Sequence, residues 1–353
     1  MQEITKNYYK IKRLSNSFLS LIQNPVLFKM KLDGQEPPFE NKDFFRIGSA
    51  IDCKLTSPET FEAEFQIINA NKPYGLLGKF IDALPLNLGP SSPIELYQGA
   101  HALAEYKISV DRVVRSLWTN PEAQKYYQAL HSTAEGKTIL TLEDYEVVEQ
   151  CVNSILGNPY TVDYFVPKQD EELLFQVPVL FEYRGLEFKA LLDGVRINHA
   201  EKTITPFDLK STGFSVFNFG NSFINFGYHR QAALYYYAIQ STDSPVRHLL
   251  DEGYKQMPFR FVVTETRKNT TAPALVWEVA SEDLVAGFSG GVANGRPVKG
   301  IDQLIDDYNW HVANDLWEFP REVYEKEGVF NLNVFDNEKS ESELILSNPD
   351  AES

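Results

Sequence analysis

The stretch that decides the fold runs from Leu186 to Tyr237: LEFKALLDGVRINHAEKTITPFDLKSTG (186–213), an aromatic loop FSVFNFGNSFINFG (214–227), then YHRQAALYYY (228–237). Two strand-like runs, FKALL and TITPF, each end on an acid, Asp193 and Asp208. The turn-like NHAEK (198–202) between them predicts a hairpin that sets the two acids side by side. Lys210 follows two residues after Asp208, and strand positions i and i+2 share a face. Residues 228–240 have helical spacing, which puts Gln231 and Tyr235 on one helix face, with His229 and Arg230 at the start. Taken singly, each feature has a plainer reading: Asp193 as a turn residue before Gly194, Asp208 as a surface acid, the helix as an amphipathic core element.

Together the residues predict a chemistry. Carboxylates at adjacent strand ends can hold one or two Mg²⁺ or Mn²⁺ ions, which activate water and offset charge on a phosphate. A lysine on the same face can orient the water or take up part of that charge. The expected reaction is metal-dependent phosphodiester hydrolysis, with Asp193, Asp208 and Lys210 as the catalytic set. Gln231, Tyr235 and Arg230 are the expected substrate contacts, with Arg230 and Lys210 supplying local positive potential. The aromatic loop 214–227 reads equally as a platform for a DNA end or as a packed lid.

Outside this stretch the sequence bounds the answer further. The chain has 353 residues, 43% of them hydrophobic, enough for one large domain or two ordinary ones. No run of about 18 apolar residues suggests a membrane span, and the first residues have no apolar signal core. Two distant cysteines, Cys53 and Cys151, cannot form a four-cysteine zinc or iron–sulfur site. They read as reduced, buried thiols of a cytoplasmic protein. The net charge of −16 speaks against a broadly nucleic-acid-binding surface. It leaves open a locally basic channel inside an acidic exterior. The six histidines form no H-x-x-x-H pair, and no Walker loop, G-x-S-x-G or G-x-G-x-x-G pattern occurs.

Along the chain, SNSFLSLIQNPVLFKM (15–30) predicts a helix capped by Ser15 or Ser17, with Pro25 opening a second. FFRIGSAIDCKL (44–55) predicts another, ended by Pro58, with Asp52 among apolar neighbours. Residues 59–160 read as a mostly helical insertion, with segments near 61–70, 94–106, 109–118, 121–131 and 141–156, and a Pro/Gly-rich loop after about residue 70. Strands are expected at 173–183, 186–197, 203–209, 258–266 and 274–279, and helices at 281–293 and 301–317. The glycines of GFSGGVANG (287–295) read as a flexible helix-to-helix loop. The expected architecture is α/β: a mixed sheet flanked by helices 15–30, 44–56 and 228–240. The organisation is one domain over 1–332, comprising N-terminal helices 14–58, the insertion 59–160, a core 173–280 and C-terminal helices 281–317. A flexible acidic tail occupies 333–353.

The string DGVRIN…TITPFDLKSTG…YHRQAALYYYAI resembles the PD-(D/E)XK nuclease superfamily, and within it the RecE-type (exodeoxyribonuclease VIII-like) exonucleases. Asp193, Asp208, Lys210, Gln231 and Tyr235 match that branch's acid, D-x-K and Q-x-x-x-Y positions. SNSFLSLIQNPVLFK and IGSAIDCKLTSPETF resemble its opening helix and its G-[ST]-A-x-H helix. The resemblance covers about residues 14–60 and 173–240. Asp52 stands where the family has His, Leu192 where the signature has Pro, and Gln176 near the place of a superfamily Glu. The resemblance implies a restriction-endonuclease-like core and a metal set of Asp193, Asp208, Asp52 and the Leu209 carbonyl. It further implies an Mg²⁺- or Mn²⁺-dependent exonuclease on linear duplex DNA in recombination or repair, in a bacterial cell or phage-infected host. The expected partners are duplex ends, the single-strand product, a single-strand annealing protein, and further copies of the chain in a ring. Two alternatives stand beside it: a catalytically weakened DNA-end-binding or recombination-partner protein, and an endonuclease on the same core.

Overall fold

The computed structural model describes residues 7–35, 43–131 and 136–330; the expected tail at 333–353 lies outside these. The chain folds as mixed α/β. A parallel pair, β1 (Phe65–Ile68) and β2 (Thr138–Thr141), belongs to the helical insertion. The central sheet contains β3 (Glu171–Tyr183), β4 (Leu186–Asn198), β5 (Thr203–Thr212), β6 (Lys255–Gln256), β7 (Arg260–Glu265) and β8 (Leu275–Glu278), in the order β3-β4-β5-β7-β8 with β6 also on β5. β3, β4 and β5 form an antiparallel meander, β5 and β7 are parallel, and β8 returns antiparallel. A parallel neighbour needs a crossover. The helices Phe219–Asn225, Tyr228–Gln240 and Arg247–Asp251 supply it between β5 and β7.

Both faces of the sheet are covered. On one, Val179, Phe188, Ala190 and Leu192 pack with Ala233 and Leu234 of helix Tyr228–Gln240, with Leu19, Ile22 and Phe28 of the N-terminal helices, and with Leu304 of helix Ile301–Asn314. On the other, Phe207, Leu209 and Val262 pack with Ala50 and Ile51 of helix Asp43–Thr56 and Val148 and Cys151 of helix Leu142–Leu156. Local signals set the helix starts. Ser15 accepts from the Phe18 N–H at 3.2 Å, Pro25 opens the next helix, and Thr141 forms a reciprocal capping box with Asp144. Arg46–Asp144 (3.4 Å) and Lys54 on both Glu149 and the Tyr145 hydroxyl tie helix Asp43–Thr56 to helix Leu142–Leu156.

The insertion has its own core, around Phe80, Tyr97, Leu117 and Tyr126. Three expectations need correction. Residues 61–70 are one helical turn, Phe61–Glu64, followed by strand β1, because Phe65 and Ile68 find a partner strand more than seventy residues away. The Pro/Gly-rich loop contains a helix, Leu76–Asp82, that buries Phe80 and Ile81. The glycine cluster after helix Ser281–Ser289 is a hairpin of β9 (Gly291–Ala293) and β10 (Arg296–Val298), closed through Asn294 and Gly295, both at positive φ.

One irregularity shapes the centre of the sheet. In β3, Val177, Val179 and Phe181 face the helix Tyr228–Gln240 side, yet so does Leu174, while Phe175 faces the other. In β4, Phe188, Ala190 and Leu192 face that side, and then Val195 and Ile197. Alternation therefore slips by one residue on both strands, at Gln176 and Asp193. These two stand opposite each other between the paired couples Phe175↔Gly194 and Val177↔Leu192. Gln176 takes a left-handed backbone, φ 49°, unusual for a non-glycine residue in a strand.

Candidate active site

The slip sets the side chains of Gln176 and Asp193 in one cleft. Pairing of β4 with β5 runs from Asn198↔Thr203 to Gly194↔Phe207 and then stops as the strands part. Past that point Asp193 continues the contact with its side chain, its Oδ2 accepting the Leu209 N–H at 2.8 Å. The Asp193–Gly194 pair is thus mid-strand, not a turn. Gly194 is required there: a Cβ would meet the Phe207 ring at 2.0 Å. Phe207 is fixed in turn, edge-on to Tyr164 and Phe165.

Asp208 and Lys210 lie on the same face of β5, as their i, i+2 spacing predicts, and form an ion pair. Asp208 is 1% exposed. Its Oδ1 accepts from Gln231 Nε2 at 3.0 Å, and its Oδ2 is the atom paired with Lys210. Tyr235, one helical turn beyond Gln231, lines the same cleft. Lys210 also lies over the Tyr228 ring, 4.8 Å from its centre.

Asp52 arrives from a different element. Helix Asp43–Thr56 approaches β5 closely at Gly48, where a Cβ would stand 3.2 Å from Ser211 Oγ. One turn later Asp52 reaches the site and accepts from Gln176 Nε2 at 2.9 Å. Its other oxygen is buried without a hydrogen-bond partner. Burial, then the Asp208 charge, raise the Asp52 pKa to about 7, with Lys210 opposing. Burial, then Asp208 and Asp52, hold Asp193 well above the usual carboxylate range. Burial also raises Asp208, against the pull of Lys210. Partial burial would lower the Lys210 pKa, but the charges of Asp208 and Asp193 outweigh that and hold it protonated.

Three carboxylates, Asp208 buried and Asp52 and Asp193 half-buried, around one ammonium leave negative charge unmet, and Asp52 has an unpartnered oxygen. An all-oxygen donor set of this kind fits a hard divalent cation. Among the described residues no group of three or more His, Cys, Asp or Glu side chains is placed so that it could hold a metal ion. Mg²⁺ is commonly held by only one or two carboxylates, with water and substrate phosphate oxygens completing its shell. Two of the three carboxylates, Asp193 and Asp208, would meet that lower requirement. The Leu209 N–H is engaged by Asp193, which fixes the peptide next to the expected carbonyl ligand.

Asp52 and Asp193 open onto a cleft of about 1430 Å³, lined also by Gln176, Tyr228, Gln231 and Tyr235 and by the segment Tyr8–Ser17. This exceeds the roughly 300–1,000 Å³ of small-molecule sites. That segment lies along β4: the Leu14 N–H donates to Glu187 O at 3.0 Å, and the Lys189 N–H donates to Leu14 O at 2.7 Å. Lys189 Nζ holds the carbonyls of Tyr8 and Ile11, each at 2.9 Å. Lys10, Lys12, Arg13, Lys31 and Lys189 line the cleft together with Asp33, Asp52, Glu187 and Asp193; Arg13 pairs with Glu187, which leaves Lys10, Lys12 and Lys31 as the cleft's exposed lysines.

Of the sequence-predicted residues, Asp52, Asp193, Asp208, Leu209, Lys210, Gln231 and Tyr235 come together. Arg230 does not. It is buried, and its guanidinium donates to the Lys299 carbonyl at 2.9 Å, away from the cleft, so it supplies no positive potential there. The basic residues of the N-terminal segment do so instead. Gln231 proves to be a partner of Asp208 as well as a cleft residue. Two cleft residues had no role in the sequence reading. Gln176 was noted only as standing near a family Glu; its signal was a lone polar residue inside the apolar run LLFQVPVLF. Tyr9 was missed, and its signal was the interleaving of aromatic and basic residues in NYYKIKR. In the aromatic loop, Phe219 is buried, whereas Phe214, Phe217 and Phe226 are exposed, and Phe226 lines the cleft.

No family model matches the chain, and no curated protein matches it in sequence. A solved structure similar to it is the crystal structure of a candidate exonuclease from Eubacterium rectale. It is 11% identical, covers 97% of this chain and 96% of that chain, and superposes with a TM-score of 0.47. Likeness at that level says nothing about chemistry. No helix among the described residues is long and apolar enough to cross a membrane.

Proposed function

We propose that the chain is a metal-dependent nuclease with a PD-(D/E)XK active site, acting as an exonuclease on linear duplex DNA in recombination or repair. The observation that carries this reading is the cluster of Asp193, Asp208, Asp52 and Lys210, of which Asp193 and Asp52 line the cleft. Asp193 and Asp208, with Asp52, would hold Mg²⁺ or Mn²⁺. Bound there, the ion would activate a water and stabilise charge on the phosphate oxygens. Lys210, kept protonated by its carboxylate neighbours, orients the attacking water and offsets negative charge as the phosphate is attacked. Gln231 fixes the rotamer of Asp208, and Gln176 that of Asp52. The exposed lysines attract the phosphate backbone into a cleft from which the acidic remainder of the surface repels it.

The test uses end-labelled linear duplex and a covalently closed circle of the same sequence, with Mg²⁺, with Mn²⁺ and with EDTA. Expected are degradation of the linear form only, its loss in EDTA, and its loss in an Asp208→Asn variant that melts like the parent. Cutting in EDTA, or none with any divalent ion, defeats the reading. Efficient cutting of the closed circle replaces exonuclease with endonuclease. Light scattering on the same preparation tests the ring: a monomer that still degrades linear DNA removes only the ring.

A further inference from the structure

The segment preceding the N-terminal helices carries an aromatic ring that packing does not explain. Tyr8 is buried, its ring under Lys189 Nζ at 4.6 Å. Its neighbour Tyr9 is 85% exposed and projects into the cleft wall, touching Tyr8 edge-on at 5.5 Å. Tyr9 lines the same cleft as Asp193 and Asp52, and partial desolvation, then the charges of those two carboxylates, raise its pKa. Phe226, 62% exposed, presents a second ring to the same cleft from the turn before helix Tyr228–Gln240, tilted on Tyr228 at 5.7 Å. Exposed Lys10 and Lys12 follow Tyr9 directly.

We infer that Tyr9 is a stacking platform for an unpaired nucleobase next to the scissile phosphate, so that the chain engages nucleic acid at the cutting point as a single strand. This rests on the nuclease reading above and adds to it. Aromatic faces interleaved with lysines are the chemistry that binds single strands without regard to sequence, since every base has a π face and every nucleotide a phosphate. A base stacked within a duplex has no face to offer Tyr9. A linear duplex must therefore fray, or arrive with an overhang, before its terminal strand reaches Asp193 and Asp208. The backbone of the segment is rigid enough to serve, because Lys189 and the Leu14 bridge to β4 anchor it on both sides of Tyr9.

The test measures binding in EDTA, where hydrolysis does not intervene. Fluorescein-labelled single-stranded deoxyoligonucleotides are titrated by anisotropy with the full chain and with Tyr9→Ala, Tyr9→Leu and Tyr9→Phe. The oligonucleotides are either intact or carry an abasic site at each position in turn. Stacking of one base is expected to make Tyr9→Ala and Tyr9→Leu bind about 5- to 100-fold more weakly, with Tyr9→Phe within about twofold of the parent. An abasic site at one position should weaken the parent but not Tyr9→Ala. A blunt duplex should bind more weakly than the same duplex with a short single-stranded overhang. Equal affinity for parent and Tyr9→Leu, or an abasic penalty that is the same in both, overturns the inference. Metal-dependent cutting indifferent to Tyr9 would then leave the nuclease reading standing. Absence of binding to any oligonucleotide at low salt defeats both.

Discussion

Asp193 Oδ2 accepts the backbone N–H of Leu209 at 2.8 Å, at the point where β4 and β5 stop pairing. A side chain thus replaces a rung of the sheet, and in doing so holds its carboxylate against that of Asp208. Structure and chemistry are separable here by substitution. Asp193→Asn keeps an oxygen acceptor and loses the charge. Its melting temperature should stay near that of the parent, while nuclease activity falls by about 10²–10³-fold. Asp193→Ala should lose the activity and also about 1–3 kcal/mol of stability, because the buried Leu209 N–H is left without a partner. Parallel melts and turnover assays distinguish the two.

Gln231 holds Asp208 Oδ1 at 3.0 Å and does not itself carry charge. Removing such an orienting partner typically costs about 10- to 100-fold in metal affinity or activity. Gln231→Ala is expected to fall in that range, with the loss partly recovered at raised Mn²⁺ and little change in melting temperature. A variant that only melts earlier, at full activity, would make the helix a purely structural element.

Gly194 faces the Phe207 ring, with no room for a methyl group. Gly194→Ala should destabilise the fold by about 1–3 kcal/mol through overpacking. Phe207→Leu placed on that background should restore part of the loss, although Phe207→Leu alone destabilises. Urea melts of the four proteins form the cycle that measures it.

The raised carboxylate pKa values make a prediction about pH. Asp52 titrates near pH 7 in the fold and near 4 when unfolded. Between those values the native state binds more protons than the unfolded one, so metal-free stability falls as pH rises from about 4 to about 7. In EDTA the melting temperature should drop across that window, and Asp52→Asn should flatten the drop. Added Mg²⁺ should restore stability chiefly at the upper end, where the carboxylates are ionised and free to bind it. A melting temperature independent of pH and Mg²⁺ would remove Asp52 from any ion-binding role.

The sequence by itself determined what depends on near neighbours. The two-residue period of a strand put Asp208 and Lys210 on one face, and the hairpin turn at 198–202 brought Asp193 beside them. The 3.6-residue period placed Gln231 and Tyr235 together, and Ser15, Pro25 and Pro58 marked helix ends through local backbone chemistry. What only the tertiary structure decided is everything set by partners distant along the chain. Arg230 sits at the start of the same helix as Gln231, but its direction depends on the Lys299 carbonyl, which no local period encodes. Strand β1 exists because β2 lies beside it. The slip at Gln176 and Asp193 reverses the facing of residues on each side, so uniform alternation would send Leu174, Val195 and Ile197 to the wrong face. Tyr9 lines one cleft with Asp52 and Asp193 only because Leu14 and Lys189 dock the N-terminal segment on β4, more than 170 residues away in the chain. Such contacts are selected by burial and hydrogen bonding summed over the whole fold, and no single segment contains that sum.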